Sequence, residues 1–352
     1  MSNERIAIVG TGAVGAYAGG FMHNAGENVT FFDPWPENVL AMRDRGLRLL
    51  SAEGDIEYEG KVRAHHLSDI AGMGGKPEFD IAFVCSKSYD TAWHAQLIKP
   101  YLAPGGFVVS LQNCINEDAI AEIVGWNRVI GCIASLIAVC MDAPGQVRRM
   151  VPRGGAANHT VFRAGEPSGR ISQRSTRVAE LVSHTDGAKA TNNLWGERWS
   201  KLITNSMFNP VIAASGLTNV SSVLEDTTRR LSIRIAAEGV RVASANGIEL
   251  EAIRGLQPDI WQAAAAGDAN AFGTIEARLI EVAKAAKTDG RPSMAQDVEK
   301  GRRSEIDFMN GLIVKTGESL GIDTPANRGI VEAMRSVDAK TASPGLDTVS
   351  SI

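Results

Sequence analysis

Residues 5–33, RIAIVGTGAVGAYAGGFMHNAGENVTFFD, constrain this chain more than any other stretch. An apolar run with strand character leads into a glycine turn. A small-residue segment from Ala13 to Asn24 has helical length, and a second apolar run ends at Asp33. This pattern predicts a βαβ unit. Gly10, Gly12 and Gly15 stand in G-x-G-x-x-G order, and each has its own task. The first allows the tight turn. The second lets backbone N–H groups, with Ala13 and Val14 behind them, approach a pyrophosphate at the helix N-terminus. The third lets helix and strand pack closely. The turn lies between a strand and a helix, and an acid closes the next strand. That context points to dinucleotide binding and not to glycine punctuation alone.

Asp33 bears on the choice of dinucleotide. A carboxylate at that strand end accepts hydrogen bonds from ribose hydroxyls and repels a 2′-phosphate, which favours NAD(H) over NADP(H). Pro34-Trp35-Pro36 offers no arginine to such a phosphate, while Arg43 and Arg45 follow closely enough to keep NADP(H) as the alternative. Further strand-like runs, FDIAFVCSK, GFVVSLQN and RVIGCIASL, alternate with helical stretches, and extra strands are expected between Gly145 and Gly165. The expected fold class is α/β, with an N-terminal Rossmann-type, mostly parallel doubly wound sheet. Ligands of such sheets lie at the carboxyl ends of the strands, so Lys87, Gln112 and Asn113, each at a strand end, become candidates. His159 sits in the Gly-rich connection and is not assigned a role.

Beyond residue 190 the strand signals fade and Ala-rich helical patterns continue to the end, without a regular repeat. The chain is expected to divide into a dinucleotide-binding domain at 1–192, an all-helical C-terminal domain at 193–340 for substrate and dimerisation, and a flexible tail at 341–352. In the first helical stretch, ERWSKLITNSMFNP, the apolar residues Trp199, Leu202, Ile203, Met207 and Phe208 recur at helical spacing. This leaves Lys201, Asn205 and Asn209 four residues apart in one polar stripe. A stripe of one lysine and two amides, without alternating charges, suits a polar ligand better than solvent. Hydride transfer to a carbonyl carbon leaves charge on oxygen, and a lysine ammonium is a suitable donor for it.

A net charge of −4 and a pI near 5.9 leave no basic surface for nucleic acid. No window is apolar enough for a membrane span, and the N-terminus has neither a signal-peptide nor a transit-peptide pattern. The four cysteines lack the paired spacing of a zinc site or a disulfide framework, so no metal and a reducing cytoplasm are expected.

Five separated motifs, GTGAVGAYAG, CSKSYDT, SLQNCINE, ERWSKLITNSMFNP and RPSMAQDVEKGRRSEIDFMNG, resemble in order those of the ketopantoate reductase family (2-dehydropantoate 2-reductases) across residues 5 to about 335. The resemblance implies an NAD(P)H-dependent reductase of a small 2-oxo acid, with Lys201 as general acid and Asn205 and Asn209 toward the substrate. It also implies Lys87 and Asn113 at the cofactor and substrate, and Ser293 and Glu305 as further substrate-binding groups, with Glu305 facing Lys201 and tuning it. A homodimer is implied as well. From the residues alone, Ser293 reads as a helix N-cap. The chain departs from the family in carrying Cys114 where glycine usually follows Gln-Asn, in its Asp33, and in extra residues around 255–292. An opine-type or imine-reducing dehydrogenase and a non-catalytic NAD(H)-binding redox sensor are the alternative functions.

Overall fold

The computed structural model describes residues 4–74, 76, 78–154 and 160–352; His159 lies outside them. Two compact units divide the chain, Met1–Leu194 and Trp195–Ile352.

The first unit contains twelve strands among its described residues: β1 (Arg5–Val9), β2 (Asn28–Asp33), β3 (Leu47–Leu50), β4 (Ile56–Gly60), β5 (Arg63–His66), β6 (Phe79–Val84), β7 (Leu102–Ser110), β8 (Val129–Ala134), β9 (Val139–Ala143), β10 (Gln146–Arg149), β11 (Phe162–Gly165) and β12 (Ala188–Thr191). Eight of them form the main sheet in the order β12-β11-β8-β7-β6-β1-β2-β5. From β5 to β8 every neighbouring pair is parallel; β11 then runs antiparallel to β8 and parallel to β12. The order reverses at β1, between β2 and β6, and this is the switch point at which an open α/β sheet binds its ligand.

The alternation of β1 explains why both faces must be covered. Ile6 and Ile8 point into one apolar cluster with Tyr17, Phe21, Met22, Phe31 and Leu181. Ala7 and Val9 point into the other, with Phe32, Ala95, Ile98 and Ile120. The helix Ala13–Asn24 lies on the first face through small residues, and a Cβ at Gly19 would stand 2.6 Å from the Phe31 ring.

The segment expected to complete the main sheet divides its strands between two sheets. HTVFRAGE supplies β11 of the main sheet, whereas QVRRMV supplies β10 of a separate four-stranded sheet, β4-β3-β10-β9. Here β10 pairs in parallel with β3, Leu49 opposite Val147, and antiparallel with β9.

The second unit is helical apart from an isolated bridge between Ile253 and Leu256. Its first long helix, Leu194–Ser215, buries Trp199, Leu202, Ile203, Met207 and Val211. The helix Asp226–Ala245 crosses it closely at Gly239, where an added Cβ would lie 3.0 Å from Ile203. Residues 341–352, expected to be a flexible tail, pack onto this unit. Gly345 N–H donates to Ala214 O, Val349 is buried, and Ile352 seals against Gly329. The polar composition of the segment conceals the two apolar anchors, Val349 and Ile352, that hold it.

Candidate active site

The glycine turn follows β1 directly. Gly10 has φ +86°, a left-handed conformation, and a Cβ there would stand 3.0 Å from the backbone nitrogen of Ser86. Gly15 is more confined still, since its Cβ would meet Gly10 O at 2.6 Å and Cys85 Cβ at 2.9 Å. Gly12 differs from both. It caps the helix Ala13–Asn24 with ordinary extended backbone, its Cβ would meet nothing within 4 Å, and no side chain caps the helix. The protein does not need a glycine there for its own packing. The open space over the first helical turn, with its uncapped N–H groups, fits the pyrophosphate of a dinucleotide.

Asp33 closes β2 beside this turn, 4% exposed. Its Oδ1 accepts from the backbone N–H of Trp35 at 2.9 Å. Burial pushes its carboxyl above the usual range, and hydrogen bonds from Trp35, Asn38 and Thr11 oppose the shift. The turn is further held by Thr11 Oγ1, which donates to Phe32 O, and by Asn38, which donates to Thr11 O and accepts from Gly145 N–H. Sequence reading did not mark Thr11 or Asn38; a polar residue inside the glycine turn was the available signal. Arg43 is committed elsewhere, donating to Ala64 O and to Asp69, and Arg45 donates to Pro144 O.

Lys87 and Asn113 lie beyond the ends of β6 and β7, both half-buried. Hydrogen bonds tie their loops together. Asn116 Nδ2 donates to Asn113 O at 2.8 Å and to Ser88 Oγ at 3.3 Å, and Gln112 Nε2 donates to Ser86 O and Thr91 Oγ1. Gln112 is therefore a strut between the two strand ends. Cys114, at the usual glycine position, keeps a glycine-like conformation, with φ +62°. The substitution leaves the left-handed backbone in place and adds a buried thiol to it.

In the second unit Lys201 and Asn205 are half-buried and Asn209 is 9% exposed, so the stripe is largely shielded from water. Phe208, seven positions beyond Lys201, shares its direction on the helix. Arg254 lies over the Phe208 ring with Cζ 5.4 Å from the centroid. It occupies a left-handed turn with φ +54°, in a loop fastened to the helix by Ser200, whose Oγ donates to Glu251 O and accepts Glu251 N–H. The Arg254-Gly255 pair between apolar Ile253 and Leu256 was the sequence signal for this turn. Ser293 is exposed at the first position of the helix Ser293–Glu299. Pro292 takes the cap position, so the N-cap expectation for Ser293 is corrected; proline's fixed φ suits the helix entrance. Glu305 is 5% exposed and precedes a short 3₁₀ turn, its carbonyl accepting Phe308 and Met309 N–H. Among the described residues no group of three or more His, Cys, Asp or Glu is arranged to hold a metal, and no helix is long and apolar enough to cross a membrane.

The glycine turn, the switch point and the doubly wound sheet define an NAD(P)-binding Rossmann fold, followed here by a helical unit. Comparison with known proteins gives the family. The model of ketopantoate reductase PanE/ApbA matches residues 6–157, and that of its C-terminal part matches residues 193–338. The chain belongs to the ketopantoate reductase family and is an NAD(P)-dependent oxidoreductase acting on a CH–OH group. The 2-dehydropantoate 2-reductase of Archaeoglobus fulgidus is 28% identical over 343 residues, covering 96% of this chain and 99% of that one. A PanE/ApbA family ketopantoate reductase from Ralstonia eutropha JMP134 superposes with a TM-score of 0.76 at 29% identity, over 96% and 99% of the two chains. D-Mandelate dehydrogenase, solved with NADH and anilino(oxo)acetate, shares the fold with a TM-score of 0.78 at 21% identity, over 96% and 98%.

Proposed function

We propose that this protein reduces a small 2-oxo acid of the ketopantoate type to its 2-hydroxy acid, with NADH preferred and Lys201 as general acid. The observation that carries this reading is the shielding of the Lys201–Asn205–Asn209 stripe. A solvated helix face would expose all three, whereas Asn209 is almost fully buried and the other two are half-buried.

A bound reduced nicotinamide supplies the hydride. Gly10, Gly12, Ala13, Val14 and Gly15 receive the pyrophosphate, Asp33 takes the ribose hydroxyls, and Lys87 and Asn113 hold the nicotinamide end. As negative charge grows on the carbonyl oxygen, the Lys201 ammonium donates its proton to it. The amides of Asn205 and Asn209, with Asn113, Ser293 and Glu305, orient the substrate's hydroxyl and carboxylate groups. The NADH preference is supported by the carboxylate of Asp33 and by the engagement of Arg43 and Arg45 with other groups. A homodimer is part of the proposal, supported by the similar fold of a ketopantoate reductase from Staphylococcus aureus described as dimeric.

The test is steady-state reduction of ketopantoate and other 2-oxo acids with NADH and NADPH. Lys201→Ala is expected to lower kcat by about 10² to 10⁴ with little change in dinucleotide affinity. The unmodified protein is expected to lose kcat on the alkaline side as its general acid loses its proton, and that limb should vanish in the variant. Near-normal turnover of Lys201→Ala with the same alkaline limb refutes the assignment.

A further inference from the structure

The helix bearing Lys201, Asn205 and Asn209 has a proline inside it, Pro210. Proline has no N–H, so the carbonyl four residues earlier, that of Ser206, loses its helical donor. Ser206 has no exposed surface, so solvent does not replace the missing bond. Another helix does. Asn310, the first residue of the helix Asn310–Ser319, donates from Nδ2 to Ser206 O at 3.2 Å.

The amide of Asn310 is itself held. Its Nδ2 also donates to Asn327 Oδ1 at 3.0 Å, one hydrogen for each acceptor. Turning the amide over would set Oδ1 against two acceptors, Ser206 O and Asn327 Oδ1, so the hydrogen bonds fix its orientation. Asn327 is anchored in turn. Its Nδ2 donates to Ile235 O at 3.1 Å and to Glu238 Oε2 at 2.8 Å. The Glu238 carboxylate accepts the backbone N–H groups of Ala326 and Asn327, each at 2.9 Å. Asn310 and Asn327 have no exposed surface. One buried relay thus runs from the carbonyl beside Pro210 to the helices Asp226–Ala245 and Pro325–Asp338.

We propose that Asn310 is a positioning residue for the reaction. By donating to the carbonyl that Pro210 leaves without a partner, it fixes the turn of helix between Asn205 and Asn209, and with it the relative placement of the polar stripe. The sequence places the proline one residue after Asn209, where any relaxation of the turn would move that amide. The inference rests on the reading of this helix as the reacting one.

The test is a rescue cycle. Asn310→Leu removes the donor, and Pro210→Ala restores an N–H that closes Ser206 O within the helix. With ketopantoate and NADH, Asn310→Leu is expected to lose about 10-fold to 10²-fold in kcat, the range for a misplacement on the order of 1 Å. Dinucleotide affinity should stay within about twofold, because Asn310 lies outside the glycine-turn unit. Pro210→Ala alone should change little, and the double variant should recover most of the lost kcat. If Asn310→Leu does not fold, Asn310→Ser is used; it is smaller and too short to reach Ser206. An unchanged kcat in a folded Asn310 variant overturns the proposal, as does a loss that Pro210→Ala leaves unrepaired. Lys201→Ala measured in parallel separates the two readings. An active Lys201→Ala enzyme brings down the catalytic assignment and this inference with it. An inactive one beside unimpaired Asn310 variants brings down the inference alone.

Discussion

Replacing Gly12 with alanine separates ligand binding from folding in this protein. The residue has extended backbone that any L-amino acid adopts, and its added methyl would meet no atom within 4 Å. Two small terms then act on stability. Alanine restricts the unfolded chain, worth about 0.4–1 kcal/mol in favour, and is a poorer helix cap than glycine by a similar amount. The net is about zero. The methyl projects into the space over the uncapped helix turn, and overfilling a site of close approach costs about 1–3 kcal/mol, or about 5-fold to 150-fold in Kd. Gly15→Ala is the contrast. Its methyl would lie 2.6 Å from a backbone carbonyl oxygen, so the fold itself must shift, at about 1–3 kcal/mol of stability. Calorimetric titration with NADH and thermal unfolding of both variants check the pair. Wild-type NADH affinity in Gly12→Ala would refute the assignment of that space to the dinucleotide.

His94, 1% exposed and with neither ring nitrogen hydrogen-bonded among the described residues, is held by burial at a pKa of about 4. A depressed histidine contributes stability that is present above its ordinary value and lost as pH falls through 6.5 toward 4, about 2 kcal/mol between about pH 7 and about pH 5. Denaturant titrations should show this slope and its flattening in His94→Leu. The raised carboxyl of Asp33 works in the opposite sense, its contribution being present below 3.8 and lost as pH rises through the folded value. Asp33→Asn is therefore expected to raise stability at about pH 7, with the gain fading toward about pH 3, and to narrow the NADH preference in kcat/KM. Cys114→Gly relieves a left-handed side-chain residue, which costs about 1–2 kcal/mol, and is expected to raise Tm where Cys114→Ala does not.

The parts of this molecule that were legible in the sequence are those with local causes. The glycine turn, the helix over Ala13–Asn24 and the shielded stripe follow from spacing within one element. The four-stranded sheet does not. Its β4, IEYEG, has only Tyr58 buried, so there is no apolar alternation to read, and β10 is placed in this sheet by its pairing with β3 and β9. In the candidate site, Pro210 announces a carbonyl without a donor, but which side chain answers it depends on tertiary packing around Asn310. Arg254 was hidden for a related reason: its conformation is set by the bridge between Ile253 and Leu256, not by the intrinsic preference of arginine.

The parallel pairing of β3 with β10 also matters while the chain is being made. The β3–β4 hairpin leaves the ribosome with the β3 edge still bare, and the strand that covers it follows roughly 90 residues later, on the order of ten seconds at ordinary rates of synthesis. Arg177, which binds Glu4 and Glu27, emerges later still. A nascent chain of this protein therefore carries an exposed sheet edge beside an unfinished Rossmann core for nearly half of its first unit's synthesis. This is the interval in which strand addition between neighbouring chains competes with folding, and in which a holding chaperone has something to hold.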